Sequence, residues 1–238
     1  MKIKQIRQRL IKKLKQKSKK LFCSFLLLFF ALTLLLRFVP IPFSAYMLQQ
    51  KIANFSFANN YSIQYQWVPL EKISWQMQLA VIAAEDQLFA QHHGFDWNSI
   101  EKAILHNQQS SRTRGASSIS QQTAKNLYLW HGQSWLRKGL EIPVTLSLEL
   151  MWNKKRILEV YLNIAEFGRG IFGVEAASQH YFKKSAQHLT QQEAALLAAI
   201  LPNPIIFKAN NPSAYTKRKQ KWIIQQMNNL GKNYLNNL

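Results

Sequence analysis

The chain has 238 residues and a formal net charge of +20 at neutral pH, a length that fits one domain with appendages. Ten of its 31 Lys and Arg residues lie in the first twenty positions, yet the remaining chain is still cationic. This charge favours an anionic partner such as nucleic acid, a membrane surface or a phosphate-bearing substrate. The single cysteine, Cys23, excludes an intramolecular disulfide.

An apolar segment follows the basic tail of residues 1–20. Leu21 to Leu36 is almost entirely apolar, and the segment reaches Val39 if Arg37 extends its guanidinium toward the lipid headgroups. This length is close to the roughly 20 residues of a spanning helix. A cleaved signal peptide is the alternative, but the apolar run is long and no clear small-x-small site follows it.

We therefore predict a retained transmembrane signal anchor over residues 21–43. By the positive-inside rule the basic tail stays in the cytoplasm, and residues 44–238 form an extracytoplasmic domain. The larger part of the chain is therefore expected to lie outside the cytoplasm, next to the membrane. This arrangement argues against a nucleic-acid partner, because the cationic body faces the wrong compartment.

The remaining chain predicts a mainly α fold in one compact domain. Pro40 and Pro42 end the anchor, and residues 44–70 predict an extended connector because they show no clear period. One helix is predicted from Leu70 to a point near Gly94. Further helical patterns follow as far as the C-terminus, and no run alternates convincingly with period two. The polar, basic stretch "SSRTRG" at residues 110–115 breaks this series, and we hypothesise that it is a mobile flap.

Glu85 and its neighbour Asp86 directly follow an apolar run. On the predicted helix Ile82, Glu85, Phe89 and His92 share one face, so Glu85 is expected to be half-buried. A carboxylate in such a position suits a general acid or base. Taken alone, an ion pair with a nearby Arg or Lys explains it at least as well.

Two downstream stretches carry polar groups that can bind phosphate or sugar hydroxyls. Gln122, Lys125 and Asn126 can cluster on one helix surface, although an ordinary polar helix N-terminus is the simpler interpretation. Arg137 and Glu141 stand at i and i+4, the spacing of a surface ion pair. Neither stretch by itself is enough to predict a binding site for phosphate or sugar.

Four polar motifs that follow one another in a fixed order are much more specific than any one of them. They are E-D-x-x-F-x-x-H-x-G-F-D at Glu85–Asp96, G-x-S-x-I-x-Q-Q-x-x-K-N-L at Gly115–Leu127, R-K-x-x-E at Arg137–Glu141 and I-L-E-x-Y-L-N at Ile157–Asn163. With these motifs the chain resembles the monofunctional peptidoglycan glycosyltransferases, glycosyltransferase family fifty-one. The resemblance covers roughly residues 40–225, and one departure is Ser118, where the family usually has Thr.

The resemblance implies a lysozyme-like glycosyltransferase domain that polymerises glycan strands from lipid II by inverting β-1,4 transfer and releases undecaprenyl pyrophosphate. It implies that Glu85 is the general base on the acceptor 4-hydroxyl, that Lys125 and Arg137 contact the pyrophosphate, and that Glu141 assists the leaving group. It assigns supporting positions in the cleft to Asp86, Phe89, His92, Ser118, Gln122 and Asn126.

The implied partners are lipid II, the nascent glycan strand and the cytoplasmic membrane, with cell-division or cell-wall synthesis proteins left open. No cofactor is required, although a divalent cation, Mg²⁺ or Mn²⁺, at the pyrophosphate also stays open. The six His residues show no ligand spacing, so no metal site is predicted.

Two rival functions are a membrane-anchored lytic enzyme that cleaves glycan and a non-catalytic scaffold for cell-wall assembly. A lytic enzyme has no need of a phosphate-binding Lys, and a scaffold has no reason to keep all four polar motifs. A fused transpeptidase domain is not expected, because no K-T-G sequence follows the S-x-x-K match at Ser99–Lys102.

Overall fold

The computed structural model describes residues 2–55, 61–110, 115–132 and 134–238, and for residues 2–10 only the course of the helix. The flap hypothesis for "SSRTRG" falls largely on residues 111–114, outside the described residues. The chain forms two units, Met1–Val39 and Pro40–Leu238.

The first unit is one long helix, α1 (Lys2–Leu35). Its stretch Ile11–Leu35 is long and apolar enough to cross a membrane, and the side chains there are almost all exposed. Exposed Leu and Phe side chains on such a helix suit a lipid surrounding. The basic tail and the apolar segment are thus parts of one continuous helix.

The second unit is built mainly from helices, which confirms the predicted fold class. Its α-helices are α2 (Ala45–Ala53), α3 (Trp75–Glu85), α4 (Trp97–Gln109), α5 (Ile119–Tyr128), α6 (Trp135–Met151), α7 (Lys154–Ile164), α8 (Val174–Phe182), α9 (Gln191–Ile200) and α10 (Ala214–Leu230). Short 3₁₀ turns lie at Leu70–Lys72, Ala186–His188 and Lys232–Asn237.

A small sheet accompanies these helices. Its strands are β1 (Gln64–Tyr65), β2 (Glu166–Gly168) and β3 (Ile171–Phe172), in the order β1-β3-β2. β1 is parallel to β3 and β2 is antiparallel to it, with Gln64 opposite Ile171 and Glu166 opposite Phe172. The sheet joins the connector after α2 to the turn between α7 and α8.

The core is centred on α3. Its residues from Leu79 to Ala83 are all buried, and the helix packs against α9 and α10. α9 supplies small side chains at Ala194, Ala195 and Ala198, which let the two helix backbones approach closely. This packing fixes the place of α3 in the domain. Glu85 is the last residue of the helix.

Two local predictions are wrong. The helix predicted from Leu70 to near Gly94 is divided into a 3₁₀ turn and α3, so Phe89 and His92 lie beyond the helix that carries Glu85. The connector predicted to be extended contains α2, which Ser44 caps by accepting a hydrogen bond from the Met47 N–H. α2 packs on α5, and this tertiary contact stabilises a helix that its own sequence pattern does not indicate.

Gly173 stands between β3 and α8 with a φ of +81°, and a Cβ there would lie 2.5 Å from the Asn163 carbonyl oxygen. We expect Gly173→Ala to lower the free energy of unfolding by about 2–4 kcal/mol, because it combines a left-handed backbone with a backbone clash. Thermal unfolding of the full chain in detergent measures the change.

Gly139→Ala is the matched control, because Gly139 lies within α6 and a Cβ there meets nothing within 4 Å. It should leave stability unchanged or raise it by up to about 1 kcal/mol through helix propensity. Equal unfolding temperatures for the two variants would contradict the role given to Gly173.

Candidate active site

Glu85 is held in place by α5 and α7. The Gln122 amide Nε2 of α5 donates to Glu85 Oε2 at 2.9 Å, and Gln122 Oε1 accepts from the Tyr161 hydroxyl of α7 at 3.1 Å. Tyr161 is 1% exposed, and burial raises the pKa of its hydroxyl well above the ordinary value, with nearby Glu85 and Asp86 adding to the shift. Tyr161 therefore stays a neutral donor that orients the Gln122 amide toward the carboxylate.

Asp86 connects three segments. Its carboxylate accepts from His92 Nε2 at 2.9 Å and from the Ile119 N–H, the first residue of α5, at 3.0 Å. His92 Nδ1 in turn accepts from the Gly94 N–H at 3.1 Å, so the ring braces the turn after α3. A carboxylate at a helix N-terminus is also favoured by the helix dipole. Asp86 thus fixes the start of α5 relative to Glu85.

The Ser118 side chain caps α5. Its hydroxyl accepts from the Gln121 N–H at 3.1 Å and donates to the Gly94 carbonyl oxygen at 2.5 Å. The Gln121 side chain accepts from the Ser118 N–H, which completes a capping box. The hydroxyl thus already donates one hydrogen bond and accepts one, and its contact with sugar or phosphate stays a prediction.

A buried carboxylate of α6 pairs with two cations, and a third cation lies near those two. Glu141 is 2% exposed, and its two oxygens accept separately from Arg137 Nη1 and from Lys138 Nζ, the latter at 2.8 Å. Lys125 lies close enough to interact electrostatically with Arg137, Lys138 and Glu85. Burial, together with the two neighbouring cations, lowers the Lys125 pKa, while Glu85 partly opposes the shift.

The charge in this cluster is not balanced by protein groups alone. Among the residues that the structure describes, the Lys125 ammonium has no hydrogen bond or ion pair, and Glu141 is already shared by two cations. An anion that approached this cluster would gain charge-assisted hydrogen bonds and would relieve the repulsion among the cations. The cluster is therefore suited to a phosphate or pyrophosphate.

Two cavities lie on either side of the Glu85–Gln122 contact. One, of about 570 Å³, includes Glu85 and Asp86 in its walls, together with Ala116–Ser118 and Trp222 and Gln226 of α10. The other, of about 310 Å³, is lined by Gln122, Lys125 and Asn126 and by residues of other segments, among them Tyr46, His131, Glu166 and Pro202–Pro204. A reaction at Glu85 can thus join a molecule in one cavity to a molecule in the other.

α2 supports the wall of the smaller cavity. The Gln49 side chain exchanges two hydrogen bonds with the His131 backbone, and the Tyr46 ring stacks on the His131 ring at 3.5 Å between centroids. The Tyr46 hydroxyl donates to Glu166 Oε2 at 2.5 Å, and His131 Nε2 contacts Asn126 Oδ1 at 2.8 Å. Burial lowers the His131 pKa to about 3, with Lys125 and Arg137 contributing, so a neutral ring positions Asn126.

The structure thus brings together Glu85, Gln122, Lys125, Asn126, Arg137 and Glu141 of the predicted site. Asp86 and His92 support this group through their hydrogen bonds to each other and to the start of α5. Phe89 is fully buried and has Lys154 Nζ over its ring at 4.5 Å. Lys138 and Tyr161 were missed from the sequence. The spacing of Lys138 to Glu141, i and i+3, is the signal that could have indicated the first.

The groups around Glu141 do not form a resident metal site. Both carboxylate oxygens pair with cations, and no group of three or more His, Cys, Asp or Glu residues suited to a metal occurs among the residues described. Mg²⁺ and Mn²⁺ prefer several oxygen ligands, which this donor set does not offer.

We expect Asp86→Ala to lower the free energy of unfolding by about 3 kcal/mol, because it leaves His92 and the Ile119 N–H without their charged acceptor. Thermal unfolding in detergent measures the loss. Glu101→Ala removes an exposed acid from α4 and should change stability by no more than about 0.5 kcal/mol. Equal losses in the two variants would contradict the connecting role of Asp86.

Comparison with known proteins shows to which family the chain belongs. The family model described as transglycosylase matches residues 49–228. Proteins named biosynthetic peptidoglycan transglycosylase are similar to the chain. The one from Mannheimia succiniciproducens is 65% identical over 225 residues, 94% of this chain and 92% of its own. The one from Pasteurella multocida is 66% identical over 226 residues, with the same coverage of 94% and 92%. One from Escherichia coli is 58% identical over 194 residues, 81% of this chain and 80% of its own. The chain belongs to the transglycosylase family.

Proposed function

We propose that the protein is a peptidoglycan glycosyltransferase that elongates glycan strands from lipid II. The observation that carries this proposal is the position of Glu85 between two cavities, next to a group of cations that Glu141 does not neutralise. A glycosyl transfer with a pyrophosphate leaving group needs a base at the acceptor hydroxyl and positive charge at the phosphate. Both are present here.

The two cavities suggest how the substrates divide. The acceptor sugar occupies the cavity beside Glu85, and its 4-hydroxyl gives a proton to that carboxylate as the oxygen attacks the anomeric carbon. The donor occupies the side of Gln122 and Lys125, where its pyrophosphate meets Lys125 and Arg137. The bond from the anomeric carbon to the phosphate oxygen breaks, and the cations stabilise the negative charge on the departing pyrophosphate.

Glu141 acts through the cations it holds. Its two ion pairs fix Arg137 and Lys138 on the side of α6 that faces Lys125. Without Glu141 the guanidinium and the ammonium would repel each other and separate. The resemblance assigned to Glu141 assistance of the leaving group, either directly or through a divalent ion, whereas these contacts favour a positioning role.

A lipid-linked substrate suits a protein that is itself bound to the membrane. α1 supplies a helix long and apolar enough to span it, and we propose that the basic end is cytoplasmic and the catalytic domain periplasmic. The catalytic domain also carries exposed apolar side chains on α6, which suit contact with the lipid surface. They are Trp135, Leu136, Leu140, Ile142, Leu146 and Leu150.

The full chain in detergent, given labelled lipid II, should produce a ladder of glycan polymers on a gel. We expect Glu85→Gln to slow polymerisation at least about 100-fold, because loss of a general base typically costs that much. Glu71→Gln, which neutralises an exposed acid, should polymerise at the wild-type rate.

Equal polymer from wild type and Glu85→Gln would refute the assignment of the base. Shortening of preformed glycan without consumption of lipid II would instead favour the lytic enzyme. Absence of both reactions in the folded wild-type chain would favour the scaffold.

We expect Lys125→Ala to lower kcat/KM for lipid II about 10- to 100-fold, because it removes one charge-assisted contact to the pyrophosphate. Initial rates over a range of lipid II concentrations measure the effect. Lys155→Ala, an exposed lysine on α7, should stay within about twofold of wild type. Equal effects of both variants would mean that Lys125 does not contact the phosphate.

A further inference from the structure

The cavity beside Glu85 has one aromatic ring in its wall, that of Trp222 on α10. Trp222 is 44% exposed, whereas the next residue, Ile223, and Met227 one turn later are buried in the core. The indole is therefore not part of the packing that holds α10 on the domain. Within the described part of the chain, it has neither a stacked ring nor a cation over its face.

The face of α10 that carries Trp222 is directed toward Glu85. Lys219 precedes Trp222 by three residues and Gln226 follows it by four, so the three side chains share one face of the helix. Gln226 lines the same cavity as Glu85, and the Lys219 ammonium interacts electrostatically with the Glu85 carboxylate. α10 also packs directly on α3, which ends at Glu85.

These groups have the chemistry of a sugar-binding wall. A hexose ring has an apolar C–H face and a rim of hydroxyls. An exposed indole offers a flat apolar surface for that face, and the Gln226 amide and the Glu85 carboxylate offer polar partners for the rim. Because the indole is rigid, stacking would also restrict the orientation of the ring.

We propose that Trp222 stacks on the acceptor sugar and presents its hydroxyl to Glu85, a positioning role that rests on the proposed glycosyl transfer. No bond to Trp222 forms or breaks. The indole lowers the freedom of the acceptor before the base takes the proton, and the cations around Lys125 act on the other substrate. Trp222 thus determines how well the acceptor is held, and Glu85 determines how fast it reacts.

The test uses initial rates of lipid II polymerisation by the full chain in detergent. Trp222→Ala should raise KM about tenfold, the effect of losing one aromatic anchor, with kcat within about threefold of wild type. Trp222→Phe keeps a flat ring and should restore most of the lost affinity. Tyr215→Ala removes an aromatic side chain of similar exposure from the same helix, outside the cavity, and should match wild type.

A binding measurement separates contact from a structural effect. In the inactive Glu85→Gln background, lipid II should change the tryptophan fluorescence, and Glu85→Gln/Trp222→Phe should lose most of that change. An unchanged KM in Trp222→Ala, a loss confined to kcat, or a fluorescence change that survives Trp222→Phe would overturn the proposal. If the wild-type chain forms no polymer, the proposed function itself fails, and the fluorescence titration still reports whether Trp222 contacts the lipid-linked sugar.

Discussion

The active-site geometry depends on the hydrogen bonds of a single buried carboxylate, that of Asp86. It receives the first N–H of α5 and the ring of His92, and it directly follows the residue that we propose as the base. α5 carries Gln122 and Lys125, so the same interaction sets the distance from the base to its amide partner and to the phosphate-binding cation. The carboxylate establishes this arrangement. The stacking of Tyr46 on His131, the Ser118 cap and the ion pairs of Glu141 add to its stability.

Charge is distributed unevenly over that arrangement. Glu141 neutralises only part of the positive charge of Arg137, Lys138 and Lys125, and burial makes the remainder unfavourable in the free protein. A bound pyrophosphate removes this penalty, and a departing one restores it. If the cluster binds pyrophosphate as we propose, relief of the repulsion among its own side chains contributes to the binding energy.

The sequence was sufficient for the helical class, the apolar N-terminal segment and most of the residues around Glu85. The sequence did not predict features of the fold that depend on contacts between residues far apart in the chain. α3 ends at Glu85 because Asp86 is bonded to α5 and His92, and α2 forms because Gln49 and Tyr46 contact His131. The strands are two or three residues long, too short to show alternation. The capping role of Ser118 was also not predicted, because it depends on the Gly94 carbonyl, 24 residues away in the sequence.

The neutral state of His131 has a consequence for the periplasmic location that we propose. Periplasmic pH follows the surroundings of the cell, and a histidine with an ordinary pKa near 6.5 would gain charge on mild acidification. His131 titrates only near pH 3, because it is buried beside Lys125 and Arg137. Its contact with Asn126 and its stacking on Tyr46 therefore persist through acid conditions that would protonate an exposed imidazole. At this wall of the cleft, the burial of His131 keeps its ring neutral under mildly acidic conditions.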